Sequence, residues 1–369
     1  MKQYSAPSAP SALSAPNIHA RMRVIAATLI FLGVAGFAQA QLSYRLEKVV
    51  TIASSNTGWD YLSLDEKRGH MFIAHRKDGL HVYDVKSGKF IKTLRGSQDA
   101  NTSALAPEFD LGLAGTTDGH VVVFRLSNLK TLSRFKSETD GFDGATFDPV
   151  SKRFIMVGET DVEKKTTPLL FFDGKSGKPL GSVTVESVKV DAPRADGAGN
   201  IFMPLRDQGS VVKVDAKAMQ VVTTFALKDC MKPASLEVDS ANQRIFVGCR
   251  GAGSSEPALA VLEAVSGRQI ARLPIGRGVD EVMYDASRKM VVTANGEDAN
   301  LTVIEQKSAD QYRVAETVGT RPMARTGVLA EKTGKIYLVN AQYIYKHSDD
   351  KKAEPTFVPN TFSVLTYSR

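Results

Sequence analysis

A chain of 369 residues that is 43% hydrophobic and 24% charged carries enough apolar material for a large core, which excludes a disordered or fibrous class. Its formal net charge of +7 includes no block of five like charges, which argues against a polyanion-binding tail. Two cysteines exclude a disulfide-dense scaffold and leave room for one bridge.

Residues 1–40 read as a targeting segment. A Ser/Ala/Pro-rich stretch over 1–20 precedes the basic flank of Arg21 and Arg23, the apolar run "VIAATLIFLGVAGFA" and the site "AQA" at 38–40. A basic flank, a short apolar core and a small-x-small site describe a cleavable export signal, cut after Ala40. The alternative is a retained anchor helix, for which the run is short against the ~20 residues a membrane span needs. Translation starts at Met1 or at Met22. Cleavage removes Lys2, Arg21 and Arg23 and no acid, so the charge falls from +7 to +4. The expected organisation is a signal peptide over 1–40 and one domain over 41–369. It has no membrane span in the mature chain and lies in the periplasm or outside the cell.

From residue 70 onward one pattern recurs seven times. A strand leads into a turn, often with Asp, then a basic or small residue, then a β-rich run. The runs are "HMFIAH", "LGLAGT", "RFIMVG", "NIFMPL", "RIFVGC", "KMVVTA" and "KIYLVN", ending at His75, Thr116, Gly158, Leu205, Cys249, Ala294 and Asn340. Successive ends are 41 to 47 residues apart. Third strands such as "LHVYDV", tight turns such as "DVKSGK" and "DGKSGK", and fourth strands such as "FIKTL" complete each unit. A period of ~40–45 residues with four strands per unit predicts propeller blades. Six outer strands serve seven inner ones. The missing one is "YRLEKVVTI" at 44–52, expected to pair with "TFSVLTY" at 361–367 and close the ring. The predicted fold is therefore an all-β, seven-bladed propeller, preferred over other all-β folds because those seldom repeat at this period.

The segment "RLPIGRGVDEVMYDASRKMVVTANGEDANLTVIE" (272–305), with "DVKSGKFIKTL" and "NQRIFVGC", resembles the YVTN-type β-propeller repeat family, the YncE-like exported proteins. The resemblance spans roughly 44–369. It implies the propeller fold and leaves the reaction open, because the family mostly lacks an assigned one and propellers host many functions. Blade 4 departs from the pattern with the shortened turn "DGAGNIF", and blade 7 carries an insertion over 341–360.

Strand order sorts the connections onto two faces. The short turns lie on one. The variable loops after second strands, and the links between blades, lie on the other, where binding is expected. Strand entrances on that face carry Asp60, Asn101, Asp143, Asp191, Ala234, Asp280 and Thr326. Arg76, Arg206 and Arg250 follow second strands, Arg194 and Arg325 lie near entrances, and Trp59, the only Trp, precedes Asp60. The expected ligand site is Asp60, Asp143, Asp280, Arg76, Arg206, Arg250, Arg325 and Trp59. Carboxylates there accept donors, and guanidinium forks hold a carboxylate or phosphate. The competing reading is structural, with Asp capping strand starts and pairing with Arg.

The sequence holds no C-x-x-C-H, H-E-x-x-H, P-loop or G-x-S-x-G. No cofactor and no metal site is expected. His75 and His120 are weighed as a metal pair and read instead as half-buried strand residues. Pairing Val238 with Ile245 brings Cys249 near Ala234 and so within reach of Cys230, which predicts a disulfide in an exported protein. The functional expectation is a monomeric binding protein without chemistry. Its partner is a protein, an envelope component or a small polar ligand. The alternatives are a propeller enzyme of lactonase or quinoprotein-dehydrogenase type, and a nucleic-acid binder, which the mature charge of +4 disfavours.

Overall fold

A computed structural model describes residues 43–345 and 354–369; the expected signal peptide and the "HSDD" stretch at 347–350 lie outside the described residues. Seven four-stranded antiparallel sheets account for nearly all of the described chain, so the fold is the predicted seven-bladed propeller. Blade 1, for example, runs Leu62–Asp65, His70–Ala74, Leu80–Asp84 and Lys89–Thr93 from the centre outward. The one helical element among the described residues is a 3-10 turn at Pro107–Phe109, and no described helix is long and apolar enough to cross a membrane.

The recurring turn has a local cause. The residue just before each second strand is Gly69, Asp110, Lys152, Gly199, Gln243, Lys289 or Gly334, and all seven have positive φ, from 53° to 93°. A left-handed residue there reverses the chain within the hairpin. Glycine adopts it without strain, and a side chain without β-branching tolerates it. The Asp that opens the turn is buried and accepts the backbone N–H three residues on. Examples are Ser151 to Asp148 at 2.7 Å, Asn242 to Asp239 at 3.1 Å and Arg288 to Asp285 at 2.9 Å.

Side chains alternate across each strand, so every sheet buries both faces against its neighbours. The core is accordingly a ring of seven apolar clusters, one at each interface between blades. The cluster between blades 7 and 1 contains Ile52, Ile73, Tyr83, Val339, Phe362 and Val364. Outermost strands carry the exposed hydrophobics, such as Leu46, Ile91 and Val222.

Blade 7 is built from both ends of the chain. Its order is Gly327–Ala330, Lys335–Asn340, Ser363–Ser368 and Arg45–Thr51, with the last pair in register from Arg45–Ser368 to Thr51–Ser363. Blade 4 departs from the pattern as its sequence suggested. Its inner strand is only Arg194–Ala195, preceded in the chain by an isolated bridge between Val190 and Leu205. Pro193 and Pro204 lack the N–H groups that a longer ladder needs. Within the blade 7 insertion a short hairpin pairs Tyr343–Tyr345 with Pro355–Phe357.

Candidate functional site

The face with variable loops opens into a cavity of about 400 Å³ at the propeller axis, and all seven blades line it. Blade 1 supplies Asp60, Tyr61 and Arg76; blade 2 Asn101 and Thr117; blade 3 Asp143 and Glu159; blade 4 Lys189, Asp191 and Arg206. Blades 5, 6 and 7 supply Arg250, Asp280 and Arg325. Each Asp stands at or just before an inner strand, while Glu159 and each Arg of blades 1, 4 and 5 follow a second strand.

The charges pair around the ring. Arg76 binds Asp60 at 2.9 Å, Lys189 binds Asp143 at 2.7 Å and Arg206 binds Asp191 at 2.7 Å. Asp280 is a hub. It accepts from Arg250, meets Arg325 Nε at 3.0 Å and lies 3.7 Å from Arg206. Pairing is incomplete. Arg76 Nε, Arg206 Nε, Asn101 Oδ1 and Asp191 Oδ2 are buried without a hydrogen-bond partner in the protein. Buried polar atoms of this kind are costly, so donors and acceptors both wait for a partner here.

Burial sets the proton affinities. It raises Asp191 to about 7, against the pull of Arg206 and with the repulsion of Asp143 and Asp280 added. Asp60 is raised by burial and by Asp143, which outweigh Arg76. Burial alone would lower Lys189, but Asp143 holds it above the ordinary lysine value. Five basic side chains therefore face five acids, and the raised Asp60 and Asp191 tip this near-balanced mouth toward positive charge as the pH falls below neutral.

The structure brings Asp60, Asp143, Asp280, Arg76, Arg206, Arg250 and Arg325 together in this cavity. Trp59 is corrected. It is 3% exposed and packs on Phe357 and Phe362, with ring centroids 4.8 and 5.4 Å away. Neighbouring side chains on an extended segment point to opposite sides, so Asp60 toward the axis turns Trp59 into the blade interface. Its edge borders an adjoining cavity of about 670 Å³, lined also by Met323, Tyr345, Phe357 and the guanidiniums of Arg76, Arg250 and Arg325. Arg194 lies deeper, reaching Glu281 at 2.6 Å and Glu237 at 3.3 Å. It faces the opposite end of the axis, where a second cavity of about 620 Å³ opens. Lys189, Tyr61 and Glu159 were missed by sequence reasoning. The signal for Lys189 was its place two residues before Asp191 in an interblade link.

Cys230 and Cys249 form a disulfide with Cα atoms 5.2 Å apart. A bulge between Pro233 and Ser235 sets Pro233, not Ala234, opposite Cys249. His75 is fully buried rather than half-buried, and its Nδ1 lies 3.0 Å from Nε2 of the buried His81, while His120 is half-buried as expected. His120 sits apart from them beside Asp118 at 3.1 Å.

These features define a seven-bladed propeller with a charged axial mouth. The solved RRP9 WD40 repeats match it with a TM-score of 0.71 and 9% identity, over 88% of this chain and 100% of that chain. U3-55K matches with a TM-score of 0.68 and 10% identity, over 86% of this chain and 98% of that chain. At such identity the likeness concerns the fold alone. No family model matches the chain, and no curated protein matches it.

Proposed function

We propose that this is an exported binding protein whose axial mouth takes a small anionic ligand that also carries hydroxyl groups. The observation that carries the reading is the set of buried atoms without a partner in the protein, in a cavity lined by five basic side chains. Arg76 Nε and Arg206 Nε call for an acceptor such as a carboxylate. Asn101 Oδ1 and Asp191 Oδ2 call for donors such as hydroxyls. A cavity of about 400 Å³ suits a molecule of sugar-acid size. Export is supported by the signal-like residues 1–40 and by the cysteine pair, which favours an oxidising compartment. The repeat is read as YVTN-type on the residues that resemble it.

The test is calorimetric titration of the purified chain with gluconate, against Arg76→Ala, Arg206→Ala and Arg250→Ala. Each substitution is expected to weaken binding at least tenfold. Unchanged affinity in all three removes the site.

One observation favours a second reading, acid–base catalysis on the same ligand class. A carboxyl near pKa 7 beside a guanidinium, as at Asp191 and Arg206, suits proton transfer at neutral pH. A lactone-hydrolysis screen of wild type and Asp191→Asn decides it. Turnover that is lost in the variant selects an enzyme; no turnover on any lactone selects binding alone.

A further inference from the structure

The stretch "HRKDGLH", residues 75–81, spans the end of one blade 1 strand, a tight turn and the start of the next. The turn is closed by His75 N–H to Gly79 O at 3.0 Å, Asp78 N–H to His75 O at 2.9 Å and Gly79 N–H to Arg76 O at 2.8 Å. It folds three chemistry-bearing side chains together. His75 Nδ1 is 3.0 Å from His81 Nε2 and 3.6 Å from Asp78 Oδ2, and one ligand atom from each of the three residues lies within 4.8 Å of the others. Ligands bound at ~2.0–2.1 Å in a tetrahedral site are ~3.3 Å apart, so the two measured separations bracket that spacing.

The surroundings hold each group in place. The other nitrogen of His81, Nδ1, lies 2.9 Å from Thr93 Oγ1. Asp78 Oδ2 accepts the Ser55 N–H at 2.7 Å. The His75 ring stacks on Phe362, centroids 3.9 Å apart. Outer partners of this kind orient metal-binding imidazoles and carboxylates. Both imidazoles are buried, while Asp78 keeps one side toward solvent and offers an entry path.

We propose that His75, Asp78 and His81 bind one divalent transition ion of the zinc type, with a water completing the fourth position. Two imidazoles and one carboxylate suit zinc better than calcium or magnesium, which prefer all-oxygen sites. The occupied site would fix the turn that carries Arg76, whose φ is +40° and whose guanidinium reaches Asp60 at the mouth. It would also tie the Ser55 loop to blade 1 beside the ring closure.

The experiment uses untagged, chelator-treated full-length protein titrated with zinc chloride by calorimetry. In parallel, the histidine ring nitrogens are followed by NMR. One ion per chain is expected, with Kd tighter than ~10 µM and shifts at His75 and His81. Asp78→Asn keeps an acceptor for the Ser55 N–H and should fold. It is expected to lose at least tenfold in affinity, as is His81→Gln. Binding weaker than ~10 µM, or ring signals of His75 and His81 that ignore the ion, overturns the proposal, and so does full affinity in both variants. In that case the pair is a histidine–histidine hydrogen bond and nothing more. None of these outcomes depends on the ligand of the axial mouth.

Discussion

Asp280→Asn separates an anion site from a structural ion-pair ring by the sign of its effect. The substitution removes one charge and leaves the shape. Arg250 and Arg325 lose their shared carboxylate, Arg206 keeps Asp191 at 2.7 Å, and Arg250 Nε still donates to Val279 O at 3.0 Å. Breaking a buried pair costs ~3–5 kcal/mol; these guanidiniums are a fifth to a third exposed, so a loss of ~1–3 kcal/mol is expected. Binding moves the other way. A carboxylate seated on Arg206, which lies 3.7 Å from Asp280, would stand ~5 Å from position 280, and at an effective dielectric of ~40 the repulsion is ~1.7 kcal/mol. Removing it should tighten gluconate binding by ~15-fold. Calorimetry at low and physiological salt, with a thermal melt of the same samples, reads both quantities, and the gain should shrink with salt. Weaker or unchanged binding in the variant would refute the reasoning, because the cavity would then not be reading negative charge.

Three further outcomes are expected. The disulfide closes a loop of 19 residues, worth ~3 kcal/mol in chain entropy, so Cys230→Ala/Cys249→Ala should melt ~4–5 °C lower by scanning calorimetry; an unchanged melting temperature would contradict a formed bridge. Asp191 has a folded pKa raised from 3.8 to about 7, so its contribution to stability is complete below pH 3.8 and lost as pH rises through 7. Asp191→Asn should therefore gain stability over wild type between pH 4 and 8, by up to ~4 kcal/mol, measured by urea melts; a difference independent of pH would exclude the raised value. Lys289 is exposed at φ 54°, so Lys289→Gly should hold or raise stability by up to ~1 kcal/mol while Lys289→Val lowers it, read from the same melts.

The fold was legible because its grammar is local and repeated. Asp148, Asp239 and Asp285 announce the hairpin, and each is followed by a residue that takes left-handed backbone. What the sequence shows as "basic or small" is that conformational requirement. The mouth was legible to the extent that its residues sit at fixed offsets from strands, as Asp60, Asp143, Asp280, Arg76, Arg206 and Arg250 do. Lys189 escaped because the links between blades differ in length, so offset alone does not aim a side chain there. Trp59 lies beside the mouth rather than in it because its neighbour's direction decides its own. The His75, Asp78 and His81 cluster escaped because its spacing becomes a cluster only once the turn closes.

The shared sheet of blade 7 imposes an order of events on synthesis. Thr51 meets Ser363, 312 residues later, and closing a loop of that length costs ~5 kcal/mol in chain entropy. Arg45–Thr51 thus emerges long before its mate, and it stays an open edge until Ser363–Ser368 is made. A chain truncated before Ser363 leaves two orphan edges at the seam, one on Lys335–Asn340 and one on Arg45–Thr51. The architecture thereby makes closure of the ring conditional on synthesis reaching Ser363–Ser368, since no seam forms without that strand.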